Sequence, residues 1–405
     1  MKRVFAFLII ICMLPLLSGC GSIYTNYREV EQILVVQTMG LDHTPGGVRL
    51  TLAAPSAARR EDSPVYLSGT GESITTAIER VRNYSSEEDI FCAHINHMVF
   101  GEEAAQRGID NYLAYLCRSP EMRIDTPLYV VKGCQAYDII SGVIGSGTGI
   151  CEVLQAVRSN ADDRGDSYVF TAAQVLRSLN RYGSALLCAL EFSQSDEVSG
   201  DGGGSKGGDQ SSSASQGGSG QDTGGSGESM TAAVSGYAVI KDGKLCGYID
   251  RDKAVGASLL MNLMAVTHIV VRDTAGKPVT LELSQGSSKL TPVWGEDGNL
   301  QGINISADVT ASILEMEANE NVSEAEFEDY ITARLENAVS DRISSVLQLS
   351  KKLEADFLGL AGQVELADPV KYRNMEQSFL ELLPKLELRI SVSGALSHTN
   401  NLKDT

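Results

Sequence analysis

Past its first twenty residues the chain never approaches the ~18 consecutive apolar residues of a membrane-spanning helix, so everything beyond that point is expected in water. No cysteine stands in a CxxC pair, which removes the ligand spacing of zinc ribbons and the thioredoxin redox motif. Positive charge is scarce: 33 Lys and Arg face 52 Asp and Glu, a net charge of −19. That balance argues against nucleic acid and against electrostatic adsorption to anionic lipid. The one compact glycine loop outside the low-complexity tract is Gly145-Ser146-Gly147-Thr148-Gly149. It lacks the lysine of a P-loop and the third glycine of a dinucleotide fingerprint, and reads as an ordinary loop.

What is present begins at the N-terminus. Lys2 and Arg3 precede an apolar run from Val4 to Leu17, interrupted by Cys12 and Pro15. The run is the length of a signal-peptide core and short for a bilayer span. It closes on Leu17-Ser18-Gly19-Cys20, small residues leading to a thiol, the pattern of a bacterial lipobox. Residues 1–19 are therefore expected to be a signal peptide. Cys20 is expected to carry diacylglycerol, with 20–22 the lipidated N-terminus. Losing Lys2 and Arg3 takes the net charge from −19 to −21, so lipid and not charge would hold the mature chain to its membrane.

Residues 193–230 are almost devoid of apolar side chains and rich in Gly and Ser, the composition of a disordered linker. They divide the sequence into a mixed α/β N-terminal region, 23–192, and a C-terminal region. The C-terminal region is read as a β-rich middle domain, 231–298, and an α+β domain, 299–405. In the first region, Gln32–Leu41, Val48–Ala54, Val65–Ser68, Phe91–Phe100, Leu128–Val131 and Ala185–Phe192 read as strands. Helices are expected from Ile74, capped by Ser73, and over Glu102–Leu116. After the linker, Asp242-Gly243 marks a hairpin between Ser235–Lys241 and Lys244–Ile249. Later strands are expected at Val266–Val271, Val279–Leu283, Gly302–Glu317 and Lys385–Leu396. Between the last two, Phe327, Ile331, Leu335, Val339, Ile343, Leu347 and Leu353 stripe a helix from Glu324 to Phe357, with Ser323 and Glu326 as a capping box. The whole reads as a multi-domain α+β fold, layered sheets with packed helices, one of them long.

Chemistry is harder to find. His94 and His97 at i, i+3 on a strand would point to opposite faces and make poor joint metal ligands. His43 falls in a turn and His268 in a strand. Asp162, Asp163 and Asp166 lack EF-hand spacing. Cys92, Cys117, Cys134, Cys151, Cys188 and Cys246 have mostly apolar neighbours and read as small core residues. No catalytic, cofactor or metal residue is assigned, and Cys20 is the one site residue.

The order of segments resembles the Ger(x)C family, the lipoprotein C subunits of spore germinant receptors. The resemblance rests on Tyr27–Glu31, Val35–Asp42 (VVQTMGLD), Gly69–Ile74, His94–Ala104 (HINHMVFGEEA), Gly108-Ile109 and Arg118–Arg123 (RSPEMR). After the linker it rests on Gly236–Ile249 and on Asp356-Phe357-Leu358-Gly359. Gly21 stands where the family usually has Trp, and Ile240 and Tyr248 where it has Phe and Trp. The resemblance implies a three-domain mixed α/β architecture whose C-terminal region divides near Trp294–Gly302. It also implies a non-enzymatic scaffold or signal-relay subunit, without cofactor or small-molecule ligand. That subunit would be lipid-anchored on the outer face of the spore inner membrane beside a multi-spanning A-type subunit and a permease-like B-type subunit. The competing readings are a solute-binding lipoprotein, which requires two doubly wound lobes about a pocket, and a cell-envelope hydrolase.

Overall fold

The computed structural model describes residues 33–55, 65–84, 89–145, 147–163, 165, 167–194, 230–317 and 324–397. The fold is α+β, as the sequence patterning indicates, and is built on two main sheets.

The first sheet has eight strands in the order β10-β9-β8-β7-β6-β2-β3-β4. In chain order these are β2 (Thr38–Thr44), β3 (Gly47–Ala54), β4 (Val65–Gly71), β6 (His97–Phe100), β7 (Leu128–Val131), β8 (Ser184–Gln194), β9 (Met230–Lys241) and β10 (Lys244–Asp250). Strands β2, β6, β7 and β8 are mutually parallel, and antiparallel hairpin strands flank them on both sides. Parallel strands need covering on both faces, and the crossover helices supply the cover. On one face lie α1 (Ile74–Tyr84), α2 (Glu102–Arg107), α3 (Asp110–Arg118) and α6 (Ala172–Tyr182), joined to Met39, Leu41, Met98 and Phe100 in one core. On the other lie α4 (Ala136–Gly145) and α5 (Ile150–Asp163), against Val99, Tyr129, Val131 and Cys188. Alternate residues of one strand thus feed opposite cores, Met98 and Phe100 one, Val99 the other. A separate parallel ribbon, β1 (Ile33–Val35) with β5 (Asp89–Phe91), extends from one end of this sheet.

The second sheet has the order β11-β12-β13-β14: β11 (Thr267–Arg272), β12 (Pro278–Trp294), β13 (Leu300–Met316) and β14 (Glu387–Leu396). The connection from β13 to its parallel neighbour β14 runs through α8 (Glu324–Leu353), whose Ile331, Leu335, Val339, Ile343 and Leu347 are buried against the sheet. This is the stripe that the sequence marks. The helix stops at Leu353 and not Phe357, because Glu354 takes the left-handed conformation (φ 49°) and Ala355 N–H turns back to the Ser350 carbonyl. Ser323, its expected cap, lies outside the described residues. Helix α7 (Arg251–Leu260) crosses α8 closely at Gly256, where a Cβ would come within 2.6 Å of the Arg342 backbone.

Three expectations are corrected. The glycine–serine tract does not separate two sheets. Gln194 and Met230, on either side of it, are register partners at the ends of β8 and β9, so the tract connects two neighbouring strands of one sheet. The hairpin at Asp242-Gly243 (φ 49° and 73°) accordingly completes the first sheet and does not open a middle domain. Nor is there a boundary at 298/299 or near Trp294–Gly302, since β12 and β13 pair from Val279↔Met316 to Trp294↔Leu300. Strand β12 runs far past Leu283. Its Ser-Gln-Gly-Ser-Ser stretch stays extended because Ser288 finds partners on the end of α7, with Oγ donating to the Leu259 carbonyl at 2.9 Å and N–H to Asn262 at 2.8 Å.

Two smaller elements also differ. The helix expected over Glu102–Leu116 breaks at Gly108 (φ 132°), where Ile109 N–H donates to the Gly243 carbonyl at 2.8 Å. The strand expected over Phe91–Phe100 is β5, a turn closed by Ile95 N–H on the Cys92 carbonyl, and β6.

Candidate functional site

Cys20, the one assigned site residue, lies outside the described residues, as do Asp166 and the signal segment. The other sequence candidates fall apart as sites. His94 is exposed in the turn while His97 is buried 5.9 Å, centroid to centroid, from the Tyr129 ring, so the two do not converge. Burial lowers the His97 imidazole to about 4, leaving it neutral, with its Nδ1 3.3 Å from the Tyr129 hydroxyl. In the glycine loop, the N–H groups of Gly147 and Thr148 donate to the carbonyls of Ile144 and Val143, and so cannot cradle a phosphate. Cys92, Cys134 and Cys151 have thiols pushed by burial to about 11, far from a nucleophile's range. Cys117 and Cys246 are exposed, contrary to a core role. Among the described residues no group of three His, Cys, Asp or Glu could hold a metal.

What the fold does assemble is a polar junction at the carboxyl ends of β2 and β6. Asp42, 1% exposed, ends the Met39-Gly40-Leu41-Asp42 segment on β2. Its Oδ1 accepts from Ala136 N–H at 2.7 Å and its Oδ2 from Tyr137 N–H at 2.9 Å, capping α4. Burial nevertheless raises this carboxyl above the usual range. Two glycines make the arrangement possible: a Cβ on Gly40 would lie 2.6 Å from Ile140 Cδ1, and one on Gly101 2.0 Å from Asp42 Oδ1. The next residue, Glu102, accepts from Gly133 N–H at 2.9 Å and from the Tyr248 hydroxyl at 2.8 Å. Burial and the Glu102 carboxylate together push the Tyr248 phenol well up. Lys132 lies over the Tyr248 ring and 3.3 Å from Asp250. The sequence segments MGLD and FGE thus meet the hairpin that follows the glycine–serine tract. Asp42→Ala strands two buried N–H groups at a helix start and should lower unfolding free energy by about 2 kcal/mol, read from the urea midpoint. Asp42→Asn, which keeps one acceptor, should lose less.

A second carboxylate does the same work between the two sheets. Asp356, completely buried, accepts from Leu360 N–H at 2.7 Å and Ala361 N–H at 2.8 Å at the start of α9 (Leu360–Ala367). Burial outweighs these donors and pushes it to about 7. Helix α9 meets α6 through Tyr182, whose hydroxyl would sit 2.4 Å from a Cβ on Gly362, and through an ion pair of Arg181 with Glu365. Beside it opens a cleft of about 230 Å³ lined by Phe170, Tyr182, Leu260, Phe357 and Leu358. A wider groove of about 560 Å³ runs between α1 and α3, with Arg82, Arg118, Glu79 and Glu121 on its rim. Neither buried carboxylate is left with a free oxygen facing these spaces in a nucleophile–base arrangement. Their geometry fixes helix starts and joins segments. Sequence reasoning marked MGLD and DFLG without saying why; an Asp just ahead of a glycine- or alanine-bearing helix start is the signal that could have shown it.

Two family models match the chain, one on either side of the glycine–serine tract. Residues 26–192 match the model of the spore germination protein N-terminal domain. Residues 235–400 match that of the spore germination B3/GerAC-like C-terminal domain. Nothing among curated proteins matches the chain. The fold is similar to the crystal structure of the GerBC protein, with a TM-score of 0.55 at 15% identity, covering 89% of this chain and 97% of that one. With both domains matched in order and the fold shared end to end, the chain belongs to the GerAC-like family of spore germination proteins.

Proposed function

We propose that this chain is a lipid-tethered, non-enzymatic subunit of a spore germinant receptor, held through Cys20 to the outer face of the spore inner membrane. There it acts as scaffold or signal relay beside a multi-spanning A-type subunit and a permease-like B-type subunit. The observation that carries the reading is the pair of family matches spanning residues 26–192 and 235–400 behind a lipobox-like leader. The internal use of both buried carboxylates supports a body built to hold a shape and not to turn over a substrate. The solute-binding alternative fits less well. Its two doubly wound lobes are not what the sheets form, and the cleft between them, about 230 Å³, falls below the ~300–1,000 Å³ of ordinary ligand pockets.

The test is an affinity pull-down of the tagged chain from detergent-solubilised spore membranes. A permease-like protein and a second multi-spanning subunit should co-purify with it. Recovery with a transport ATPase, or absence of the protein from spores, would overturn the assignment. In the same preparation Cys20→Ala should release the chain from the membrane fraction.

A further inference from the structure

We infer that the β1–β5 end of the first sheet is the face this protein turns to the bilayer, where it lies against the lipid headgroup layer. The inference rests on lipid attachment at Cys20. Twelve residues, 21–32, separate that cysteine from Ile33, where β1 begins. Fully extended they reach about 40 Å, and less in any other conformation. The chain therefore joins the body within about 40 Å of the membrane, and it joins at one particular place. Ile33 pairs with Asp89 on the ribbon that projects from the sheet, ahead of the first residues of β2 and β6.

The surface around that entrance carries two exposed apolar side chains. Phe91, 42% exposed, stacks 5.6 Å from the His94 ring at the end of β5. Ile124, 57% exposed, stands on the neighbouring loop, which is tied to the turn after β5 by Thr126 Oγ1 donating to the Ile95 carbonyl at 3.4 Å. Arg123 adjoins Ile124 in the chain, and Arg82 lies near Cys92, the neighbour of Phe91. Arg123 is clamped by Asp125 at 3.0 and 2.6 Å, and Arg82 lies 3.7 Å from Glu121. Arg118, at the exposed end of α3, has no ion-pair partner among the described residues. Glu79, Asp89, Glu121 and Asp125 stand beside these three arginines, so the described charges here sum to one negative. At this end an aromatic and an aliphatic side chain are free to enter the interface, and Arg118 can meet phosphate.

Two native cysteines make the test direct. Cys117 is exposed on the last turn of α3, beside Arg118; Cys246 is exposed on β10, near the Gly243 turn that meets the other end of α3. The lipidated full chain, carrying either C134S/C246S or C117S/C134S, is labelled with a fluorophore and placed in phosphatidylglycerol-containing vesicles holding spin-labelled lipid. The Cys117 probe should be quenched at least twofold more than the Cys246 probe, and adding F91S/I124S should erase the difference while the chain stays bound. Equal quenching of the two probes on vesicle-bound protein would overturn the orientation and leave this end for a protein partner. Failure of the chain to stay with the vesicles would instead count against the lipid anchor itself.

Discussion

A chain cut after Gln194 should not fold, whereas a chain in which residues 195–229 are replaced by a two-residue Asn-Gly turn should fold as well as the natural one. The two outcomes follow from one register. Strand β9 covers the whole of β8, from Ser184↔Lys241 to Gln194↔Met230, and β10 in turn covers β9. Removing the hairpin uncovers a strand buried from Ser184 to Leu190 and takes Tyr237, Val239, Ile240 and Ile249 out of the core, each 2% exposed or less. At ~1.5–3 kcal/mol per large apolar side chain, four such losses reach about 6–12 kcal/mol. That is the size of an ordinary domain's entire stability. The open edge of β8 would also invite pairing between chains. The glycine–serine tract, by contrast, has almost no apolar side chain to bury. Shortening it from 35 residues to a few relieves about 2 kcal/mol in the unfolded-chain reference. Far-UV circular dichroism and size-exclusion chromatography would separate the cases. A soluble, cooperatively melting fragment ending at Gln194 would show that the first sheet does not need its hairpin.

The same register explains which parts of the molecule the sequence discloses. Periodicity located α8, because it buries one face, and runs rich in Val, Leu, Ile and Tyr located the strands β3, β7 and β14. The Asp242-Gly243 turn was legible because its two positive φ angles need those residues. Partnership was not legible. A tract that cannot be buried reads as a domain boundary, yet the cost of a long loop grows only logarithmically, so such a tract can sit between two adjacent strands. Helices α4, α5 and α6 escaped notice for a different reason. Helix α4 is apolar nearly all round, and no polar face marks its period. Helix α6 carries a complete Thr171/Gln174 capping box that signals its start at Ala172. In the candidate site, the MGLD, FGE and DFLG segments stood out by resemblance. Their physical content, two carboxylates spent on helix starts and glycines that admit them, needed the third dimension to appear.

Two buried groups should give the protein opposing responses to acid. His97 titrates near 4 in the folded chain against an ordinary 6.5, chiefly because burial penalises the imidazolium, with Arg158 adding to the effect. As pH falls below 6.5 the unfolded chain takes up a proton that the folded chain refuses, so stability present at neutral pH is lost, by about 3 kcal/mol at pH 4. Asp356 behaves in the reverse sense. Its folded carboxyl protonates near 7 and its unfolded one near 3.8, so between those values the folded chain holds the extra proton and stability rises as pH falls, by about 4 kcal/mol. In the natural protein the two responses overlap from about 6.5 to 4 and largely cancel, leaving a flat profile there. The variants should tilt it in opposite directions. His97→Gln removes the acid-labile group, so its urea midpoint should climb as pH drops from 7 to 4.5. Asp356→Asn removes the acid-stabilised one, so its midpoint should fall over the same range. Surface carboxylates held low by ion pairs, such as Asp125 with Arg123, contribute alike to both variants and drop out of the difference. Parallel profiles for the two variants would mean that folding leaves both pKa values where they stand in the unfolded chain. In that case Asp356 stays ionised at neutral pH and below, its charge carried by the N–H groups at the start of α9.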